Sequence, residues 1–127
     1  MKRRAVSLLV AILVLLLFVS GATYAQPVVI EDILEGDQSI TTDTQLLGLV
    51  RGSVVVESGI TLQLDGVVMG NLLLKPGAIL TLNGIVYGDV TLQEGATATI
   101  NGIVGGNVYN QSGQSIEVNG IVKGEIR

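Results

Sequence analysis

The 127-residue chain contains no histidine and no cysteine. The side chains most used as general base and as nucleophile near neutral pH are therefore missing. Zinc sites built on imidazole or thiolate are excluded with them. Carboxylates, amides and hydroxyls are what remain for chemistry. Asp65 and Asp89 both stand beside glycines of a regular pattern, and a pair of carboxylates can carry acid–base hydrolysis. They fall two sides apart in the repeating unit, so solvated turn residues are the better reading and no catalytic residue is expected. Asp65, Asn83, Asn101 and Asn119 recur at a fixed spacing, and side-chain amides brought into line that way form a hydrogen-bond ladder. A structural role is the expectation for that column. The acidic nonapeptide of calcium-binding β-rolls is absent, and no metal or cofactor is expected.

The spacing belongs to a repeat. LDGVVMGNLLLKPGAILT (64–81), LNGIVYGDVTLQEGATAT (82–99) and INGIVGGNVYNQSGQSIE (100–117) align position by position. LLGLVRGSVVVESGITLQ (46–63) precedes them and the partial copy VNGIVKGEIR (118–127) follows. Counting from the leading aliphatic residue, glycine occupies positions three, seven and fourteen. Gly48, Gly66, Gly84, Gly102 and Gly120 stand at position three, four of them after Asp or Asn; Asx-Gly pairs predict corners with positive φ. Gly59, Gly77, Gly95 and Gly113 stand at position fourteen, where Pro76-Gly77 suits the centre of a type II turn. Between corners, apolar residues alternate with polar ones, which is the period of a strand. Glycine this frequent also argues against helix, at about 1 kcal/mol for each interior position.

Three short strands per eighteen residues predict a parallel β-helix with three sides, in which each side pairs with the same side of the next coil. Like residues then meet. Position five becomes an inward column of Val50, Val68, Val86, Val104 and Val122; position nine is Val54, Leu72, Val90 and Val108; position seventeen is Leu62, Leu80, Ala98 and Ile116. The β-helix acyltransferases with eighteen-residue laps rely on a histidine base, so this chain is not one of them. Position eleven turns polar at Asn110 and position fifteen at Gln114, where the partial last coil leaves nothing above; both read as end-layer residues that meet water.

Position four is apolar in every copy: Leu49, Val67, Ile85, Ile103 and Ile121. Two readings stand. Under strict alternation these five form an outward stripe, and such a patch marks an interface. A bulge after the glycine would instead turn them inward.

Residues 1–25 read as a secretory signal, with Lys2, Arg3 and Arg4 ahead of an uncharged apolar run and small residues at Thr23 and Ala25. The run is shorter than the roughly 20 residues of a membrane-spanning helix, so membrane attachment is expected only if this segment is not cleaved. An extracytoplasmic location (secreted, periplasmic or cell-surface) follows. Without those residues four basic side chains face eleven acidic ones, a net charge of −7, which is unsuited to nucleic acid. Residues 26–45 are out of step with the repeat and hold five of the acidic residues. They read either as a leader that caps the first coil or as a solvated linker, ahead of a repeat domain over 46–127.

The unit Asn83-Gly84-Ile85-Val86-Tyr87-Gly88-Asp89-Val90, with its copies at 101–108 and 65–72, resembles the G-x-V-x-G-[DN]-[VI] signature of bactofilins, the polymer-forming bacterial cytoskeletal family. The likeness covers about residues 46–127. It implies a compact right-handed β-helix that joins end to end without nucleotide and serves as a scaffold. Two departures are the secretory signal and the apolar Val67, Ile85 and Ile103, where that family usually has polar residues. The chain reaches Arg127 in mid-lap with no capping helix or proline, so unpaired strand edges are expected there. The expected function is a non-enzymatic structural protein whose partner is itself, or an envelope protein. The alternative is a binding module holding a glycan or wall polymer on the position-four stripe or the threonine-bearing side. A polysaccharide-lyase type of enzyme is a third reading, disfavoured by the short chain and the lack of a cleft-forming loop.

Overall fold

A computed structural model describes residues 26–127; the signal-peptide reading of residues 1–25 lies outside the described residues. Among those described, every element is a short strand. The first lap carries β1 (Val28–Ile30), β2 (Ile33–Glu35) and β3 (Gln38–Ile40), and the second β4 (Thr44–Leu46), β5 (Leu49–Arg51) and β6 (Val54–Val56). The third has β7 (Thr61–Leu64), β8 (Val67–Val68) and β9 (Leu72–Leu74), and the fourth β10 (Ile79–Leu82), β11 (Ile85–Val86) and β12 (Val90–Leu92). The fifth has β13 (Thr97–Ile100), β14 (Ile103–Val104) and β15 (Val108–Asn110), and the sixth β16 (Glu117–Val118) and β17 (Ile121–Val122).

Every third strand pairs in parallel with its counterpart one lap away, giving sheet A (β1-β4-β7-β10-β13-β16), sheet B (β2-β5-β8-β11-β14-β17) and sheet C (β3-β6-β9-β12-β15). The chain is a parallel β-solenoid with three sides. Ile79 lies opposite Thr61 and Thr97, and Val90 opposite Leu72 and Val108, so the eighteen-residue step of the sequence is the step of the lap.

Residues 28–45 form a lap of their own beneath the repeat. Val28 pairs with Thr44, Ile33 with Leu49 and Gln38 with Val54, an offset of 16 residues instead of 18. The two missing residues belong to the third corner. Where later laps have a glycine turn between sheets C and A, the first passes through Thr41, Thr42 and Asp43 alone, and the Asp43 carboxylate accepts the Thr61 N–H at 2.9 Å. A shortened corner preserves the pairing on all three sides while shifting the sequence out of step, which is why the segment does not resemble a repeat.

The inward columns close on a dry shaft. Position one (Leu46, Leu64, Leu82, Ile100), position five (Val50, Val68, Val86, Val104), position nine (Val54, Leu72, Val90, Val108) and position eleven (Val56, Leu74, Leu92) are buried, as are Leu62, Leu80 and Ala98 at position seventeen. Ile30, Leu34, Ile116, Val118 and Val122 pack against this core from the first and last laps and are only partly covered. No buried side-chain polar atom lacks a hydrogen-bond partner among the described residues.

Glycine serves two different purposes. At position fourteen φ is positive, +74° at Gly59, +78° at Gly77 and +75° at Gly95, and the Ala78 N–H closes a turn onto the Lys75 carbonyl at 3.0 Å. Pro76-Gly77 thus occupies the centre of a type II turn. At position three the expectation of positive φ fails: none of those glycines, and no other described residue outside glycine, has it. There the requirement is close approach, because a Cβ on Gly84 would overlap the backbone carbonyl oxygen of Gly66 one lap below. Backbone on both sides of that contact leaves nothing flexible to yield. Gly84→Ala should therefore cost at least about 3 kcal/mol, the upper end of overpacking penalties, whereas Gly95→Ala, which has space but the wrong φ, should cost about 1–2 kcal/mol. Denaturant unfolding of the two variants measures the difference.

Candidate functional site: an amide ladder beside an aliphatic stripe

Two files of polar side chains run along the solenoid, one at each end of sheet B. The first, at position two, is the predicted amide ladder. Asn83 Nδ2 donates to Asp65 Oδ1 at 2.7 Å, Asn101 Nδ2 to Asn83 Oδ1 at 2.9 Å, and Asn119 Nδ2 to Asn101 Oδ1 at 2.9 Å. Asp65 sets its direction. A carboxylate only accepts, so Asn83 must turn its NH2 toward Asp65 and its oxygen toward Asn101, and each amide above repeats that choice.

Asp65 is held by two more donors, Gln45 Nε2 at 2.8 Å and Gln63 Nε2 at 3.0 Å, both on Oδ2. The hydrogen bond from Gln45 does most to hold its carboxyl below the ordinary value of 3.8, followed by that from Asn83; partial burial opposes them and Gln63 adds a smaller lowering.

The second file, at position eight, joins side chain to backbone. Asp37 Oδ1 accepts the Ser53 N–H at 2.9 Å, Ser53 Oγ accepts that of Asn71 at 3.0 Å and Asn71 Oδ1 that of Asp89 at 2.9 Å. Asp89 Oδ1 takes the Asn107 N–H at 2.7 Å, and Asn107 Oδ1 that of Glu125 at 2.8 Å. Every member caps a corner amide one lap further on. Of these residues, sequence reading singled out only Asp89, as a solvated turn residue; the signal for more was present, since an oxygen-bearing side chain follows Gly52, Gly70, Gly88, Gly106 and Gly124 in every copy. Asp65 and Asp89 thus belong to different files, and the structure does not bring them together.

Between the files lies the position-four column. Leu49, Val67, Ile85 and Ile103 are half-buried and Ile121 is 57% exposed, while Val50, Val68, Val86 and Val104 beside the first four are buried. Strands alternate here, so position four faces out. Ile33 adds a sixth member, paired with Leu49 through the shortened first lap and 56% exposed. Each of the six stands directly over the next. Position six shares this face as Glu35, Arg51, Met69, Tyr87, Gly105 and Lys123, with Arg51 Nη1 3.6 Å from Glu35 Oε2. On the other flank, Asn83, Asn101 and Asn119, the glycines after them, and Ile85, Ile103 and Ile121 line an open groove of about 430 Å³. Each lap of it offers one aliphatic wall and one amide already bonded along the ladder.

Asn110 and Gln114 do not line that groove. Asn110 Nδ2 donates to the Gln114 carbonyl at 2.8 Å, and the Gln114 N–H to Ser112 Oγ at 3.0 Å, which closes a polar knot around the 5% exposed Ser112. Among the described residues no three Asp or Glu side chains converge on a point that could hold a metal ion.

No family model matches the chain, and neither a curated protein nor a solved structure matches it. The fold itself defines the class: a three-sided parallel β-solenoid whose outer surface is organised in columns.

Two outcomes test this surface. Ile85→Lys should leave the protein folded by circular dichroism, with a stability loss under about 1 kcal/mol for a half-exposed position; unfolding would place position four in the core. Asp65, its carboxyl lowered in the folded state, contributes stability that is fully present above pH 3.8 and is lost as pH falls through the lower folded-state value. Asp65→Asn should lower stability at neutral pH and flatten the acid limb of a denaturation–pH curve relative to the parent.

Proposed function

We propose that the chain is a non-enzymatic, extracytoplasmic structural protein that assembles through the ends of its solenoid. The observation that carries this reading is that columns covered along the solenoid open at its ends. Val28 and Ile33 in the first lap are 48% and 56% exposed, and Ile121 and Ile126 in the last are 57% and 51%, although Val28 and Ile126 occupy columns that are buried in every lap between. Among the described residues, strands at both ends also have one unpaired edge, β1, β2 and β3 at one and β16 and β17 at the other.

A second copy that continues the stack extends each column in kind. Val118 would meet Ile30, Val122 would meet Leu34 and Ile121 would meet Ile33. Lys123 would stand one lap from Glu35, the separation at which Arg51 reaches Glu35 and at which Lys75 Nζ reaches Glu57 at 2.9 Å. Burying aliphatic groups at about 25 cal/mol per Å² and satisfying a row of backbone donors both favour the contact. The bactofilin-like repeat unit and the secretory character of residues 1–25 support the same reading, the first for self-assembly and the second for location. An envelope protein or polysaccharide is the further partner, and the membrane becomes one only where the amino-terminal segment is retained.

The groove between amide ladder and aliphatic stripe favours a second reading, a module that holds a glycan or wall polymer along its axis. Light scattering and electron microscopy over a concentration series separate the two. Assembly should grow with concentration, and Val28→Lys and Ile126→Lys should each raise the concentration required by at least about ten-fold, some 1.4 kcal/mol, without loss of strand signal. Persistent monomers that sediment with insoluble wall polysaccharide would select the second reading.

A further inference from the structure

Sheet B has a symmetry that the end contacts do not use. Its outward face carries six position-four residues and six position-six residues, one pair per lap from Ile33 and Glu35 to Ile121 and Lys123. When the order of laps is reversed the face matches itself. Ile33 falls opposite Ile121, Leu49 opposite Ile103 and Val67 opposite Ile85. In the neighbouring column Glu35 falls opposite Lys123, Arg51 opposite the side-chain-free Gly105, and Met69 opposite Tyr87.

We propose that a second copy of this chain docks face to face on sheet B with its solenoid axis antiparallel, related by a two-fold axis along the strand direction between the third and fourth laps. Such an axis keeps columns over themselves and inverts the laps, as an isologous contact requires. Met69 and Tyr87, 49% and 55% exposed at the middle of the solenoid, pack on each other across it, a thioether on an aromatic ring. Opposite charges meet at both ends of the contact. Glu35 remains free enough to serve, since it and Arg51 are 70% and 58% exposed in their 3.6 Å pair.

The parallel arrangement is disfavoured by the same chemistry. A two-fold axis along the solenoid would lay position six over position two, setting Glu35 against Glu31 and Met69 against the Asp65 carboxylate. Desolvating that carboxylate without a cation, or apposing two like charges, opposes association.

The face is small. Six strands about 4.8 Å apart, three columns wide, cover on the order of 350 Å², under half of the roughly 800 Å² per partner in a standard interface. A single pair is accordingly a weak dimer, and a trapping experiment suits it better than an elution volume. The inference rests on the outward stripe and not on assembly through the ends.

Because the chain has no cysteine, Leu49→Cys and Ile103→Cys variants of the full chain each carry one thiol, at outward positions that face each other in the proposed dimer. Facing sheets lie about 10 Å apart, beyond the Cα separation of under about 7 Å that a disulfide needs, so a thiol-to-thiol cross-linker of about that span is the probe. Mixed in equal amounts at high concentration, the two variants should give the mixed cross-linked dimer in at least about five-fold excess over the two homodimers together, because unlike thiols face each other directly whereas like thiols are displaced by three further laps, about 14 Å. A statistical mixture, an excess of homodimers, or a yield no higher than that of Thr91→Cys on sheet C would overturn the proposal. End-on contact would hold these two positions three laps apart, so it neither creates nor blocks this cross-link, and its failure would leave the end-on reading standing.

Discussion

Parallel stacking in register is the constraint from which the rest of this structure follows. Each residue sits over its counterpart one lap away, at the spacing of two hydrogen-bonded strands, so a side chain is acceptable only if it tolerates a near copy of itself on either side. Aliphatic groups meet that condition and fill the shaft. Carboxamides meet it too, since each has a donor and an acceptor to present in opposite directions. Single charges do not. The eleven acidic residues are distributed accordingly: in the position-eight file Asp37, Asp89 and Glu125 are separated by Ser53, Asn71 and Asn107, and in another column Glu57 is followed by Lys75, which bonds it. Low charge content is thus a requirement of the geometry.

The two polar files show how one condition is met in two ways. At position two the side chains satisfy one another, and their common direction is imposed by the only carboxylate in the run, Asp65, with Gln45 and Gln63 occupying its other oxygen. At position eight each side chain satisfies a backbone amide of the next lap, so the residue needs only a short reach and an acceptor atom. Asp, Ser and Asn are interchangeable there, whereas position two admits little besides Asn once the direction is fixed. Both files lie at corners, where the strand ladder is interrupted and unpaired backbone groups would otherwise meet solvent or each other.

Much of this was legible because the constraint writes itself into the chain as a period. The eighteen-residue lap, the three sides, the shaft columns and the amide ladder could all be read from residues that recur, such as Val50, Val68, Val86 and Val104. What was illegible broke the period or obeyed it for another reason. Residues 28–45 pair like any other lap, but a corner two residues short hides Ile33 from the stripe it completes. The glycines at position three suggested a backbone angle; the true cause is the carbonyl of the lap below, a contact between residues eighteen apart that no local turn rule contains. Alternation predicted that position four faces out. A bulge predicted the opposite, and only the covered valine at position five decides between them.

The last laps show the same constraint acting where a neighbour is missing. Val118, Val122 and Ile126 continue their columns unchanged on all three sides, but position eleven, aliphatic in Ile40, Val56, Leu74 and Leu92, becomes Asn110 where the described chain has no lap to place above it. Asn110, Ser112 and Gln114 bond among themselves, so this corner gains internally what stacking supplies elsewhere. The strands of sheets A and B at that end, β16 and β17, have no such substitute among the described residues, and their aliphatic side chains Val118 and Val122 stay only partly covered.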